Sequence, residues 1–179
     1  ATLRIVPRPK YRGLAVVHYD SLEDALKSLA TILTTQPSAI ELIDQMILDL
    51  AQRNVAFRGR VDFVEGRPAA LFLVEYFGEE PEIVAAKLRE LRRLLATERA
   101  GTILTTQEPK HCEHIWDVRK TALPLLHSLP GHRKPVTFVE DTAVDPKRLP
   151  EFVARFKEIL RRNGTHGSFY GHASVGCLH

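Results

Sequence analysis

Apolar residues follow two spacings along the chain, one typical of strands and the other typical of helices. Residues 14–19 form a short apolar run that predicts a strand, and residues 22–33 carry a leucine at every third or fourth position, which predicts a helix with one buried face. The change from one spacing to the other recurs along the chain. The predicted strands are 14–19, 39–43, 70–76, 102–106, 136–141 and 168–173, and the predicted helices are 22–33, 45–53, 81–95, 113–123 and 145–162.

Regular alternation of strands and helices is typical of two architectures. One is a doubly wound parallel sheet, although the glycine-rich phosphate loop of dinucleotide-binding members does not follow the first predicted strand. The other is an α+β fold of two ferredoxin-like halves, whose duplicated, split βαβ units give an antiparallel sheet with helices on one face. Periodicity alone leaves both open.

Composition places the chain among ordinary globular proteins and excludes several other classes. Hydrophobic residues make up 44% of its 179 residues and charged residues 26%, which fits one domain. No apolar run approaches the roughly 20 residues that span a bilayer, and no signal peptide is recognisable. The net charge of +3 is too balanced to indicate a nucleic-acid partner. Two cysteines form no disulfide framework, so we expect a reducing compartment, by default the cytoplasm.

The last eleven residues, 169–179, carry the strongest chemical signal. They contain His172 and His179, seven positions apart, together with Gly171 and Gly176. On a straight strand two such histidines would point to opposite faces, so they can meet only if the chain turns between them, and Gly176 is where it could turn. Because the chain stops at His179, we expect it to be a piece of a longer protein that is truncated just past a functional site.

Four ordered segments, 37–44, 73–78, 116–120 and 170–179, resemble the C-terminal domain of FAD-linked oxidases of the vanillyl-alcohol oxidase type. The likeness is strongest to the branch of D-lactate, glycolate and D-2-hydroxyglutarate dehydrogenases, and it covers residues 14–179, with 1–13 as a lead-in segment. The resemblance implies an α+β fold, a large antiparallel sheet with helices on one face, and so favours the second of the two architectures. It also implies that this domain caps a flavin held by a separate FAD-binding domain of the same protein.

The resemblance implies roles for four residues. His172 and His179 match the two histidines with which family members bind a divalent metal, commonly zinc. Arg119, which shares a helical face with Trp116, matches the arginine that takes the substrate carboxylate, and Lys134 matches a second basic residue there. The family's third metal ligand, a glutamate, lies beyond His179, so we expect no tight metal binding by residues 1–179.

Some positions depart from the family pattern or carry other candidate chemistry. Ser174, Val175 and Cys177 stand where glycine, aspartate and asparagine are usual, so the segment between the two histidines differs from the family pattern. Residues 111–114 bring His, Cys and His close in sequence, but no second cluster completes a site there, and Cys177 has no evident activating base.

The expected function is therefore the substrate-binding cap of an FAD-dependent dehydrogenase. The intact enzyme would oxidise a D-2-hydroxy acid by hydride transfer to flavin and pass the electrons to an iron–sulfur module or another carrier. A homodimer is a further partner that the sequence leaves open. The alternative is a non-catalytic α+β module that binds a metabolite or mediates dimerisation, which is consistent with the lack of a cofactor motif in this chain.

Overall fold

A six-stranded antiparallel sheet forms the centre of the computed structural model, which describes residues 8–132 and 134–179. The strands are β1 (Tyr11–Tyr19), β2 (Ala39–Asp44), β3 (Ala70–Gly78), β4 (Ile103–Thr106), β5 (Tyr170–His172) and β6 (Cys177–Leu178). The helices are α1 (Leu22–Leu33), α2 (Gln45–Arg53), α3 (Pro81–Leu95), α4 (Pro109–Lys120), α5 (Ala122–His127) and α6 (Leu149–Arg162). The strand order is β4-β1-β3-β2-β5-β6.

The first four strands form one ferredoxin-like unit. The segments β1-α1-β2 and β3-α3-β4 are two βαβ units that interleave, so that each has a strand of the other between its own two strands. Every strand pair described is antiparallel, which confirms the α+β class and excludes the doubly wound parallel sheet. In the described residues the last two strands extend the β2 edge and do not begin a second four-stranded unit.

Helices cover both faces of the sheet, whereas a single helical layer was expected. Helices α1, α3 and α6 pack on one face, which agrees with that expectation for the ferredoxin-like unit. A second layer formed by α2, α4 and α5 packs on the other face. The reason lies in the strand sequences, because residues 14–17 and 71–74 are apolar at consecutive positions and so bury side chains on both faces.

Local sequence signals set several helix boundaries. The Ser21 hydroxyl accepts the backbone N–H of Asp24 at 3.0 Å at the start of α1. The predicted helix 113–123 is in fact two helices, because α4 begins at Pro109 and α5 follows after a break at Thr121. Proline is tolerated in the first turn of a helix, which is where Pro124 lies in α5.

Two predicted boundaries in the sheet differ from the structure. The strand predicted at 136–141 is wrong, because these residues are irregular and Val136 and Phe138 are each 78% exposed. At the N-terminal end of the chain β1 begins at Tyr11, so the last residues of the lead-in segment 1–13 belong to the sheet.

Residues 1–7 lie outside the described part of the chain. Within the described part, no helix has the length and apolar character to cross a bilayer.

Candidate functional site

A tight turn between β5 and β6 builds the site at the C-terminal edge of the sheet. After His172 the chain makes one turn of 3-10 helix, Ala173–Val175, and then Gly176 adopts a left-handed conformation with φ of 72°. A Cβ atom at Gly176 would lie 1.5 Å from the carbonyl oxygen of Val144, so only glycine fits. The turn expected at Gly176 is therefore present, and it folds β6 back along β5.

This hairpin places three potential ligand side chains on one face. Cys177 pairs directly with His172, and the His179 N–H donates to the Tyr170 carbonyl at 2.8 Å. Side chains at paired positions of antiparallel strands project to the same side. The centroids of the His172 and His179 rings are 5.6 Å apart, and the ligand atoms of His172, Cys177 and His179 lie within 4.8 Å of one another. The two predicted histidines thus meet, together with a cysteine that sequence reasoning left without a role.

Glu41 orients the first histidine. It lies on β2 directly opposite His172, and its Oε1 is 2.7 Å from His172 Nδ1. The Glu41 side chain is 5% exposed, whereas that of His172 is 49% exposed. Since a carboxylate accepts hydrogen bonds, Nδ1 carries the proton and Nε2 is free to bind another group. Glu41 was not among the predicted site residues, although an acidic residue between the apolar Ile40 and Leu42 is the signal that marks it in the sequence.

The same carboxylate holds Arg119, at the C-terminal end of α4. Arg119 Nε and Nη2 donate to Glu41 Oε2 at 2.9 and 2.8 Å, and the guanidinium lies 5.1 Å from the centroid of the Tyr170 ring. The Arg119 side chain is only 9% exposed. Glu41 therefore connects the predicted carboxylate-binding arginine to the predicted metal ligand, and Tyr170 fixes the plane of the guanidinium.

A second buried carboxylate, Glu75 on β3, extends the polar face. It accepts the indole N–H of Trp116 at 2.9 Å, and Arg12 Nε is 3.8 Å away. Burial raises the pKa of Glu75 above its ordinary value, and the Glu41 charge adds to this rise, while Trp116 and Arg12 oppose it. Trp116 and Arg119 lie on one face of α4, as their spacing predicted, and each binds a different one of the two carboxylates.

The thiol of Cys177 has weak partners. Its Sγ donates to Asp141 Oδ1 at 3.7 Å, and the same oxygen is 3.8 Å from His179 Nδ1. Burial raises the pKa of Cys177, and the nearby carboxylates of Asp141 and Glu41 raise it further. In the absence of a bound cation the thiol form is therefore favoured.

Two other sequence candidates lie outside this assembly. Lys134 is exposed and its Nζ donates to the Leu129 carbonyl at 2.5 Å; none of its described contacts reaches Arg119 or the histidines. The segment 111–114 forms no ligand cluster, since His114 pairs with Asp62 at 3.0 Å and Cys112 is buried. In the described part of the chain, His172, Cys177 and His179 make the one group of three side chains spaced to hold a metal.

Comparison with known proteins gives consistent matches over the whole described chain. Residues 8–179 match the family described as FAD linked oxidases, C-terminal domain. A D-2-hydroxyglutarate dehydrogenase of Pseudomonas putida is 32% identical over 187 residues, and one of Escherichia coli is 30% identical over 189 residues. These matches cover 100% of this chain but only 18% and 19% of the two relatives.

A solved structure shows the same fold. An alkyldihydroxyacetonephosphate synthase superposes with a TM-score of 0.61 at 13% identity, over 95% of this chain and 35% of that one. Identity this low supports a common fold and nothing further.

Proposed function

The chain belongs to the family of FAD-linked oxidase C-terminal domains, and on that premise we propose that it is the substrate-binding cap of an FAD-dependent dehydrogenase. The substrate would be a D-2-hydroxy acid of the lactate, glycolate or 2-hydroxyglutarate type, oxidised by hydride transfer to the flavin. The observation that carries the proposal is the joint placement of Arg119, His172 and His179 around Glu41 on one face of the sheet edge. A hydroxy acid needs two such groups, a cation for its carboxylate and a centre that acts on its hydroxyl.

Arg119 is suited to hold the carboxylate. Glu41 occupies its Nε and one Nη2 hydrogen, and Tyr170 packs on its plane, so the remaining N–H groups of the guanidinium have a fixed direction. Charge-assisted hydrogen bonds from a preoriented guanidinium bind carboxylates strongly and with defined geometry. Lys134 stays a prediction as the second basic residue, because it would have to leave the Leu129 carbonyl to take part.

The two histidines are suited to hold a divalent metal, for which zinc is our first choice. The donor set fits: two imidazoles converge, and the Glu41 hydrogen bond at His172 Nδ1 leaves Nε2 as a ligand atom. When bound, such a metal would polarise the substrate hydroxyl and lower its pKa. The protein's own contribution is to keep the two rings and the guanidinium at fixed positions through the β5–β6 hairpin and the buried carboxylate.

The remaining parts of the proposal come from the family likeness. The relatives extend far beyond the matched region, and a flavin-binding domain of the same protein would hold the FAD. The electrons would leave the flavin for an iron–sulfur module or another carrier, in a cytoplasmic enzyme that could form a homodimer.

Arg119→Lys in the full-length enzyme tests the proposal. Lysine keeps the positive charge next to Glu41 but loses the forked donor geometry, so we expect KM for D-2-hydroxyglutarate to rise about 10- to 100-fold. The matched control is Arg155→Lys, at an exposed arginine that pairs with Glu151. Thermal unfolding of both variants separates loss of binding from loss of fold.

The result also separates the two candidate functions. Kinetics for Arg119→Lys equal to those of Arg155→Lys would remove Arg119 from the substrate site. If no D-2-hydroxy acid reduces the flavin of the wild-type enzyme, the non-catalytic binding or dimerisation module is the better interpretation.

A further inference from the structure

We propose that Cys177 is the third protein ligand of the metal, in place of the glutamate that the family resemblance implied, so that His172, Cys177 and His179 together form a zinc site within residues 172–179. This inference deepens the proposed function and depends on its metal centre. The expectation from the sequence was that two ligands would not hold a metal tightly. The hairpin changes that expectation, because it brings a thiol next to the two imidazoles.

The spacing of the three side chains needs little change to close on a metal. Their ligand atoms lie within 4.8 Å of one another. Tetrahedral zinc, with bonds of about 2.3 Å to sulfur and about 2.0 Å to nitrogen, holds neighbouring ligand atoms about 3.5 Å apart. A closure of about 1 Å is within reach of a side-chain rotation. The hydrogen bond that Cys177 would give up is long, 3.7 Å to an exposed Asp141.

The surroundings of the three side chains add an independent observation. A buried carboxylate that accepts the second ring N–H of a ligating histidine is a common outer support of zinc sites, because it fixes the tautomer and the ring orientation. Glu41 makes this contact with His172 at 2.7 Å and is itself anchored by Arg119. On the hairpin, a Cβ at Gly171 would lie 2.5 Å from the Cys177 carbonyl oxygen, so the lack of a side chain there lets β5 and β6 approach closely.

A thiolate ligand determines which metal the site takes. When zinc binds, the Cys177 thiol releases its proton to solvent, the S–H bond is replaced by a Zn–S bond, and no oxidation or reduction occurs. One thiolate and two imidazoles favour zinc over magnesium or manganese, which prefer oxygen ligands. Three protein ligands leave a fourth position on tetrahedral zinc for the hydroxyl of a substrate.

Zinc X-ray absorption spectroscopy tests this assignment directly. The full-length protein is depleted of metal and reloaded with one equivalent of zinc. We expect one sulfur atom at about 2.3 Å from zinc in the wild type and none in Cys177→Ser, together with at least about a tenfold loss of zinc affinity. Cys112→Ala is the control: Cys112 is a buried core residue of α4 outside the ligand group, so its replacement should leave both the spectrum and the affinity unchanged.

The possible results distinguish this inference from the proposed function. Zinc that needs both histidines but has no sulfur neighbour overturns the role of Cys177 and leaves the metal centre of the proposed function standing. A sulfur signal that persists in Cys177→Ser also overturns it. If the wild type binds no zinc, both metal statements fail, and the Arg119→Lys kinetics decide the rest of the proposed function.

Discussion

Replacing Glu41 by glutamine removes one negative charge from the centre of the site and keeps its shape. In the wild type, one carboxylate oxygen accepts two N–H groups of Arg119 and the other faces His172 Nδ1 at 2.7 Å. Breaking a buried ion pair on one side costs about 3–5 kcal/mol, because the other charge is left buried without a counterion. Glutamine retains one acceptor oxygen, so we expect a loss near the lower end, about 3 kcal/mol. For a chain of this size that is a fall in Tm of about 6–12 °C.

The assay is equilibrium urea unfolding, supported by thermal unfolding, of Glu41→Gln, Arg119→Met and the double variant. The double variant should lose clearly less stability than the sum of the two single variants, because it leaves no isolated buried charge. Glu90→Gln is the control: Glu90 pairs with Arg93 at 2.7 and 2.8 Å on the exposed surface and should leave the urea midpoint unchanged. A Glu41→Gln midpoint equal to that of Glu90→Gln, or strict additivity in the double variant, would refute the reasoning.

Two further predictions concern the turn and the second carboxylate. Gly176→Ala should destabilise the protein by about 3 kcal/mol or more, because the new Cβ would lie 1.5 Å from the Val144 carbonyl oxygen. The control is Gly66→Ala, where φ is 67° but the space is open, and it should cost about 1 kcal/mol. Equal urea midpoints for the two variants would contradict this. Burial raises the pKa of Glu75, so above the ordinary glutamate pKa the folded state binds more protons than the unfolded state, and stability falls as pH rises through the raised pKa. Glu75→Gln keeps an acceptor for Trp116 and removes the titrating carboxylate, so the stability of the variant relative to wild type should be greater at about pH 7 than at about pH 4. A stability difference that does not change with pH would show that Glu75 does not cause the pH dependence.

The sequence predicted most elements because their signals are local. Caps, proline positions and one-sided apolar stripes depend on neighbours within one turn, and α1 and α3 appear where such signals lie. The direction of the strands is not a local property, so alternation alone could not separate a parallel sheet from the antiparallel one observed. The segment 136–141 shows that a local pattern is not sufficient to form a strand. Its residues alternate as in a strand, but none of the described strands pairs with it, and Val136 and Phe138 face solvent.

The site also has features that follow from local sequence and features that depend on strand pairing. The turn at Gly176 could be predicted from one residue, and with it the meeting of His172 and His179. Cys177 and Glu41 could not be found in this way, because their roles follow from strand register, which pairs each of them with His172. For Glu41 the register joins β2 to β5, two segments more than a hundred residues apart, and a single sequence does not show such contacts. Cys177 is close to His172 in sequence, and its pairing depends on how many residues the turn between them takes up.

The Glu41 carboxylate couples Arg119 and His172, because the two side chains share its single charge. An anion on the remaining N–H groups of Arg119 would share the guanidinium charge with Glu41, and a cation on His172 Nε2 would make the Nδ1–H a stronger donor to the same carboxylate. Occupancy at either position therefore alters the hydrogen bonds available at the other. Thermodynamic linkage then requires the free energy of coupling to be equal in both directions, whichever ligand arrives first.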